Sequence, residues 1–172
     1  MNKLILTLTV TAALALVARA ESSVKLSGVH LCCNACVKGV ERAVTKVPGV
    51  TAACDRDSET VTLTAADKAA VQKAVDALVA AGYFGKSSDA SIKVKDTSGA
   101  KDAKVTSLTV NGVHLCCGKC VTAVDKAIKS VKGVTSHTAE KGAKSFEVKG
   151  DFNAKEVFAA LQNAGLTGKA GK

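Results

Sequence analysis

Apolar residues recur three and four positions apart in three stretches. Val37, Val40, Ala43, Val44 and Val47 form one, Val71, Ala74, Val75 and Leu78 a second, and Val121, Val124, Ala127, Ile128 and Val131 a third. That spacing places each set on one face of a helix. Pro48-Gly49 stops the first helix, Gly82 the second and Gly133 the third. A fourth helix is framed by Asn153 as cap, Glu156 three residues on, a Phe152/Val157 staple, and Gly165 at its end. Thr64-Ala-Ala-Asp67 predicts a capping box at the start of the second helix. Between helices the period shortens to two. Val24 and Leu26, and again Leu108 and Val110, predict strands. Val50–Asp55 and Thr60–Leu63 flank the polar turn Arg56–Glu59; Val134–Ala139 and Ser145–Val148 flank Glu140–Lys144. Each pair predicts a hairpin. Ser91–Val94 predicts a closing strand, and Leu166–Lys172 leaves room for only a short one at the other end.

The order strand, helix, strand, strand, helix, strand therefore occurs twice. With right-handed crossovers it gives an α+β, ferredoxin-like unit, two helices on one face of a four-stranded antiparallel sheet. The first unit is expected over residues 22–95 and the second over 105–172. Residues 96–104, within the polar run KDTSGAKDAK that begins at Lys95, form the linker. The chain begins differently. Leu4–Val17 is apolar and uncharged, and Ala18-Arg19-Ala20 offers a small-residue cleavage site. Residues 1–20 thus have the form of a signal peptide, implying a secreted or periplasmic protein. No later run is long enough to span a bilayer, so no stable membrane insertion is expected after cleavage.

A net charge of +9 arises from scattered lysines. Only Arg42 and Arg56 follow the leader, Trp is absent and aromatics are 3%. A nucleic-acid partner is therefore not expected. The chemistry lies in cysteine. Gly28–Val37 reads GVHLCCNACV and Gly112–Val121 reads GVHLCCGKCV, eight of ten positions agreeing at an offset of 84. Packing does not call for adjacent cysteines in a loop. Cys32 and Cys33, and Cys116 and Cys117, fall just before a helix; Cys36 and Cys120 fall in its first turn. Amide N–H groups and the positive end of the helix dipole favour thiolates there. Two thiolates separated by two residues can turn toward one point. That geometry serves a soft metal or a reversible disulfide.

A repeated βαββαβ unit with Cys-x-x-Cys in its first loop resembles the heavy-metal-associated domain family. That family includes copper chaperones, modules of copper-transporting ATPases and an exported mercury-binding protein. The resemblance covers both units and implies that Cys33/Cys36 and Cys117/Cys120 hold the metal. Gly82-Tyr83 resembles the family's loop near the metal. The family usually has Gly-Met-x-Cys-x-x-Cys. Here Val29 and Val113 follow the glycine, and the longer loop adds Cys32, Cys116, His30 and His114 as further candidate ligands. Cu(I) is the first expectation, with Zn(II) and Hg(II) as alternatives, since thiolates select soft ions and three sulfurs plus His suit zinc. The expected partner is a metal-transporting ATPase or another Cys-x-x-Cys protein. An enzyme, a thiol–disulfide oxidoreductase using the same pairs, is the alternative. The absence of Trp and of a proline facing the motif counts against it. Cys54 and His137 are expected to be ordinary strand residues. Lys86 and Lys169 are expected near the metal end.

Overall fold

The computed structural model describes residues 21–171. The expected leader lies outside them. The first unit runs β1 (Ser22–Ser27), α1 (Asn34–Val44), β2 (Val50–Asp55), β3 (Thr60–Ala65), α2 (Lys68–Ala80) and β4 (Lys86–Ser87). The second runs β5 (Lys104–Asn111), α3 (Gly118–Lys129), β6 (Val134–His137), β7 (Ser145–Asn153), α4 (Ala154–Asn163) and β8 (Lys169–Ala170). The sheets are ordered β2-β3-β1-β4 and β6-β7-β5-β8, antiparallel throughout. This is the ferredoxin-like arrangement, formed twice.

Each element folds as its side-chain period requires. On β1, Val24 and Leu26 point inward opposite Leu63 and Val61 of β3. Val40, Ala43 and Val44 of α1 and Val71, Ala74, Val75 and Leu78 of α2 close the first core. Val124, Ala127 and Ile128 of α3 and Val157, Phe158 and Leu161 of α4 close the second. Removing a Val or Leu side chain from water stabilises by about 1.5–3 kcal/mol. Asn153 caps α4 by accepting from the Lys155 N–H. Gly133, at φ 89°, lets the chain turn against Asp151 of β7, leaving no room for a Cβ.

Two local expectations are corrected. Helix α2 is capped by Asp67, which accepts from the Ala70 N–H at 2.8 Å, and not by Thr64. Thr64 is held in β3, paired with Ser23 and Thr51. The closing strand is Lys86–Ser87 rather than Ser91–Val94. The alternation at 91–94 is real, because Ile92 is buried and Lys93 exposed. Its backbone, however, bonds to a side chain. The Gln72 amide donates to the Lys93 carbonyl and accepts from the Lys93 N–H, both at 2.8 Å. A primary amide presents one donor and one acceptor in the pattern of a neighbouring strand, so Gln72 of α2 takes that strand's place.

The units meet through their corresponding loops. Tyr83 and Leu166 form an antiparallel bridge. The Phe84 N–H donates to Gly165 O at 3.1 Å, and the Thr167 N–H to Gly82 O at 2.9 Å. Gly82 and Gly165, at φ 88° and 75°, sit where a Cβ would collide with the opposite unit's backbone, at His114 N and at His30 N respectively. Among the described residues no helix is long and apolar enough to cross a membrane.

Candidate metal centre

The two cysteine loops are pinned from beneath. Val29 and Leu31 in one, and Val113 and Leu115 in the other, are buried. The Val29 N–H donates to Glu59 O, and the Gly142 N–H to Leu115 O. Each loop then enters its helix through a cysteine. Cys33 caps α1 and Cys117 caps α3, both extended (φ −160° and −152°), and neither side chain bonds the helix end. Their carbonyls take up the first helical N–H groups, from Cys36 and Cys120. The cap sulfurs are thereby free to turn elsewhere. No acidic residue occupies the first turn of either helix.

All six sulfurs turn to one place. The two loops, whose separate or shared action the sequence leaves open, are joined across the contact between units. Cys32 Sγ lies 3.4 Å from Cys117 Sγ and 3.5 Å from Cys120 Sγ. Cys116 Sγ lies 3.5 Å from both Cys33 Sγ and Cys36 Sγ. Cys36 and Cys120 face each other at 3.9 Å and are fully buried. Within each loop the distances are alike: Cys32–Cys36 and Cys116–Cys120 at 3.6 Å, Cys33–Cys36 at 3.8 Å and Cys117–Cys120 at 3.9 Å. All are free thiols. The spacing is that of sulfurs around a common ion: corners bonded at about 2.3 Å to one metal stand about 3.8 Å apart.

Crowding sets the electrostatics. Burial opposes ionisation of Cys33, but the nearby amides of Cys36 and Ala35 at the start of α1 and the Cys116 thiol favour its thiolate and bring its pKa down to about 6. Burial is the leading cause that raises Cys32 and Cys116, the latter to about 12, and the hydrogen bonds their thiols donate to Cys117 and Cys120, and to Cys33 and Cys120, add to it. Cys36 and Cys120 act as donor and acceptor. Their mutual bond raises Cys36 and lowers Cys120, against burial in the latter and with help from His30. A full set of thiolates so close cannot persist without cations, because each charge raises the next pKa. Soft cations remove that obstacle and release the protons.

The histidines differ from one another. His30 lies within 4.8 Å of the Cys32 and Cys120 sulfurs, in reach of the centre. His114 instead packs its ring on Tyr83 at 4.8 Å between centroids, and burial lowers its pKa. The Nε2 atoms of both are buried without a partner. Tyr83 donates its hydroxyl to the Cys36 carbonyl at 2.8 Å, bracing the first turn of α1. Its companion Gly39 has no signal in sequence beyond a glycine inside a helix. Cys54 stands apart on β2, its thiol raised by burial. His137 Nε2 lies 3.0 Å from an Asp125 carboxylate oxygen, away from the sulfurs. Lys86 and Lys169 open β4 and β8, exposed.

Residues 107–167 match the family model of the heavy-metal-associated domain. Among solved structures, the N-terminal soluble domains of Bacillus subtilis CopA are 15% identical over 90% of this chain and 97% of that one, with a TM-score of 0.35. The first two RRM domains of yeast poly(U)-binding protein Pub1 are 9% identical over 87% and 98%, at 0.25. At such TM-scores neither likeness bears on residues or ligands here. No curated protein matches the chain.

Proposed function

We propose that this chain, whose residues 107–167 match the heavy-metal-associated domain, is an exported carrier of a soft metal ion. Cu(I) is the favoured cargo, with Zn(II) and Hg(II) as the alternatives, and the Cys-Cys-x-x-Cys loops sequester it or pass it on. The observation that carries this reading is the convergence of Cys32, Cys33, Cys36, Cys116, Cys117 and Cys120 as free thiols, with neighbouring sulfurs 3.4–3.9 Å apart across the two units. A thiophilic cation is the ligand that such a set of sulfurs selects. His30 lies within reach as an extra donor.

Handover would proceed by ligand exchange. An acceptor thiolate, from a metal-transporting ATPase or another Cys-x-x-Cys protein, forms a bond to the ion before a resident Cys33 or Cys117 bond breaks. These two reach the centre from helix caps and are half-exposed, so they are the entry points. The metal keeps its oxidation state, and the released cysteine takes a proton from solvent. The role is carriage and not catalysis.

Reduced, metal-free protein is titrated anaerobically with Cu(I) against a chromophoric chelator, then mixed with an apo acceptor bearing Cys-x-x-Cys. Withdrawal of Cu(I) from the chelator and appearance of metal on the acceptor support carriage. No uptake, with rapid reduction of insulin disulfides instead, would make the protein an oxidoreductase.

A further inference from the structure

The six sulfurs have a definite polyhedral order. Besides the pairs at 3.4–3.9 Å, the pairs Cys32/Cys33, Cys33/Cys117 and Cys116/Cys117 lie within 4.8 Å. Together the close pairs have the connectivity of an octahedron. Cys32 and Cys116, Cys33 and Cys120, and Cys36 and Cys117 are its opposite corners. From this we infer that the loops build one tetranuclear site, taking four Cu(I) ions in six bridging thiolates. The inference rests on the soft-ion reading above and specifies its stoichiometry and geometry.

An octahedron offers its faces to three-coordinate ions. In the faces Cys33/Cys36/Cys116 and Cys32/Cys36/Cys120, whose edges are 3.5–3.9 Å, the face centre is about 2.0–2.3 Å from its three corners, a metal–thiolate bond length, and the edges within 4.8 Å have only to draw in when an ion binds. The octahedron's own centre is about 2.6 Å from all six, too long, and six-coordination by sulfur is not what a soft ion adopts. Four alternate faces use every sulfur twice. They are Cys33/Cys36/Cys116, Cys32/Cys36/Cys120, Cys32/Cys33/Cys117 and Cys116/Cys117/Cys120. Each thiolate then bridges two ions and each ion has three sulfurs. Three of the four faces draw on both loops, so neither unit can build the site alone.

Tetrahedral ions fit poorly. Zn(II) on four sulfurs needs all of them about 3.8 Å apart. Any four corners of an octahedron include an opposite pair, about 5 Å apart on these edges. Charge points the same way. Six thiolates with one Cu(I) leave five negative charges in a largely buried place, whereas four leave two. The amino ends of α1 and α3, which carry no acidic residue, face that remainder. Loading should accordingly be cooperative: the first ion draws the thiolates together and leaves vacant faces beside them.

The test is an anaerobic Cu(I) titration of the reduced full-length processed chain, followed by native mass spectrometry and X-ray absorption. Expected are saturation at four ions per chain, spectra dominated by empty and four-copper species at half loading, and three sulfurs per copper. A copper–copper vector is expected at about 2.5 Å, two-thirds of an octahedral edge. The Cys32→Ser/Cys116→Ser variant keeps both Cys-x-x-Cys pairs. It should lose the copper–copper vector and fall to two ions while keeping its circular dichroism. Saturation of the parent at one or two ions without that vector would overturn the cluster and leave carriage standing, as would four ions bound by the variant. One Zn(II) held in preference to Cu(I), on Cys32, Cys36, Cys120 and His30, would also overturn it. No uptake of any thiophilic ion would remove the soft-ion reading itself.

Discussion

Replacing Gly39 with alanine should loosen the brace under the metal centre. In an isolated helix interior the change would stabilise by about 1 kcal/mol. Here the new Cβ would stand well inside contact distance of Tyr83 Oη, 3.2 Å from Cζ and 3.0 Å from His114 Cε1. Tyr83 is 1% exposed and cannot swing aside. Its hydroxyl must leave the Cys36 carbonyl, 2.8 Å away. A buried hydroxyl without a partner costs about 1–3 kcal/mol, and overpacking a further 1–3 kcal/mol. The net loss is about 1–5 kcal/mol, which for a chain of this size lowers Tm by roughly 2–4 °C for each kcal/mol. A double-mutant cycle with Tyr83→Phe, read by thermal denaturation of the reduced, metal-free protein, isolates the cause. Without the hydroxyl, Gly39→Ala should become near neutral, a coupling of about 2 kcal/mol. The second unit shows the compatible combination, Ala123 at the matching place and Leu166 for the tyrosine. Additive effects of the two substitutions, or an unchanged Tm for Gly39→Ala, would refute the reasoning.

Gly165→Ala should separate the units, because the residue has φ 75° and its Cβ would strike the first unit's backbone at Gly28 and His30. A loss of about 2–4 kcal/mol is expected, together with weaker Cu(I) retention against chelator. Gln72→Ala removes both side-chain bonds to Lys93. It should cost about 1–2 kcal/mol and speed tryptic cleavage at Lys93 and Lys95 at unchanged far-ultraviolet circular dichroism. Asp89 is held well below the usual carboxylate range by hydrogen bonds from Lys68, then from Ser91. Its contribution is therefore present above the unfolded pKa and lost as pH falls through the folded one. Tm should decline on acidification below about pH 4, and less so in Asp89→Asn; parallel profiles would exclude the pair as a source of acid lability. Stripping metal with a thiol-compatible chelator should lower Tm, since an ion bound only by the folded state stabilises it by mass action.

Periodicity determined each unit. Helix faces such as Val40/Ala43/Val44, strand alternation such as Val24/Leu26, and glycines at helix ends are local patterns, and the burial they demand leaves one arrangement of two helices on a sheet. Local pattern misled where a side chain replaced backbone. Ser91–Val94 alternates as a strand does, but its partner is the Gln72 amide, contributed by another element. Thr64 was outcompeted as a cap because sheet pairing to Ser23 and Thr51 held it in β3. The twin decapeptides made every candidate sulfur visible, since adjacent cysteines at a helix start have a chemical and not a packing reason. What periodicity could not convey is that the six sulfurs make one polyhedron. That depends on how Gly82-Tyr83 meets Gly165-Leu166, two segments more than eighty residues apart. Contacts between surfaces follow from shape after folding, and no local spacing encodes them. Tertiary structure alone decided that two loops of three cysteines became a single centre.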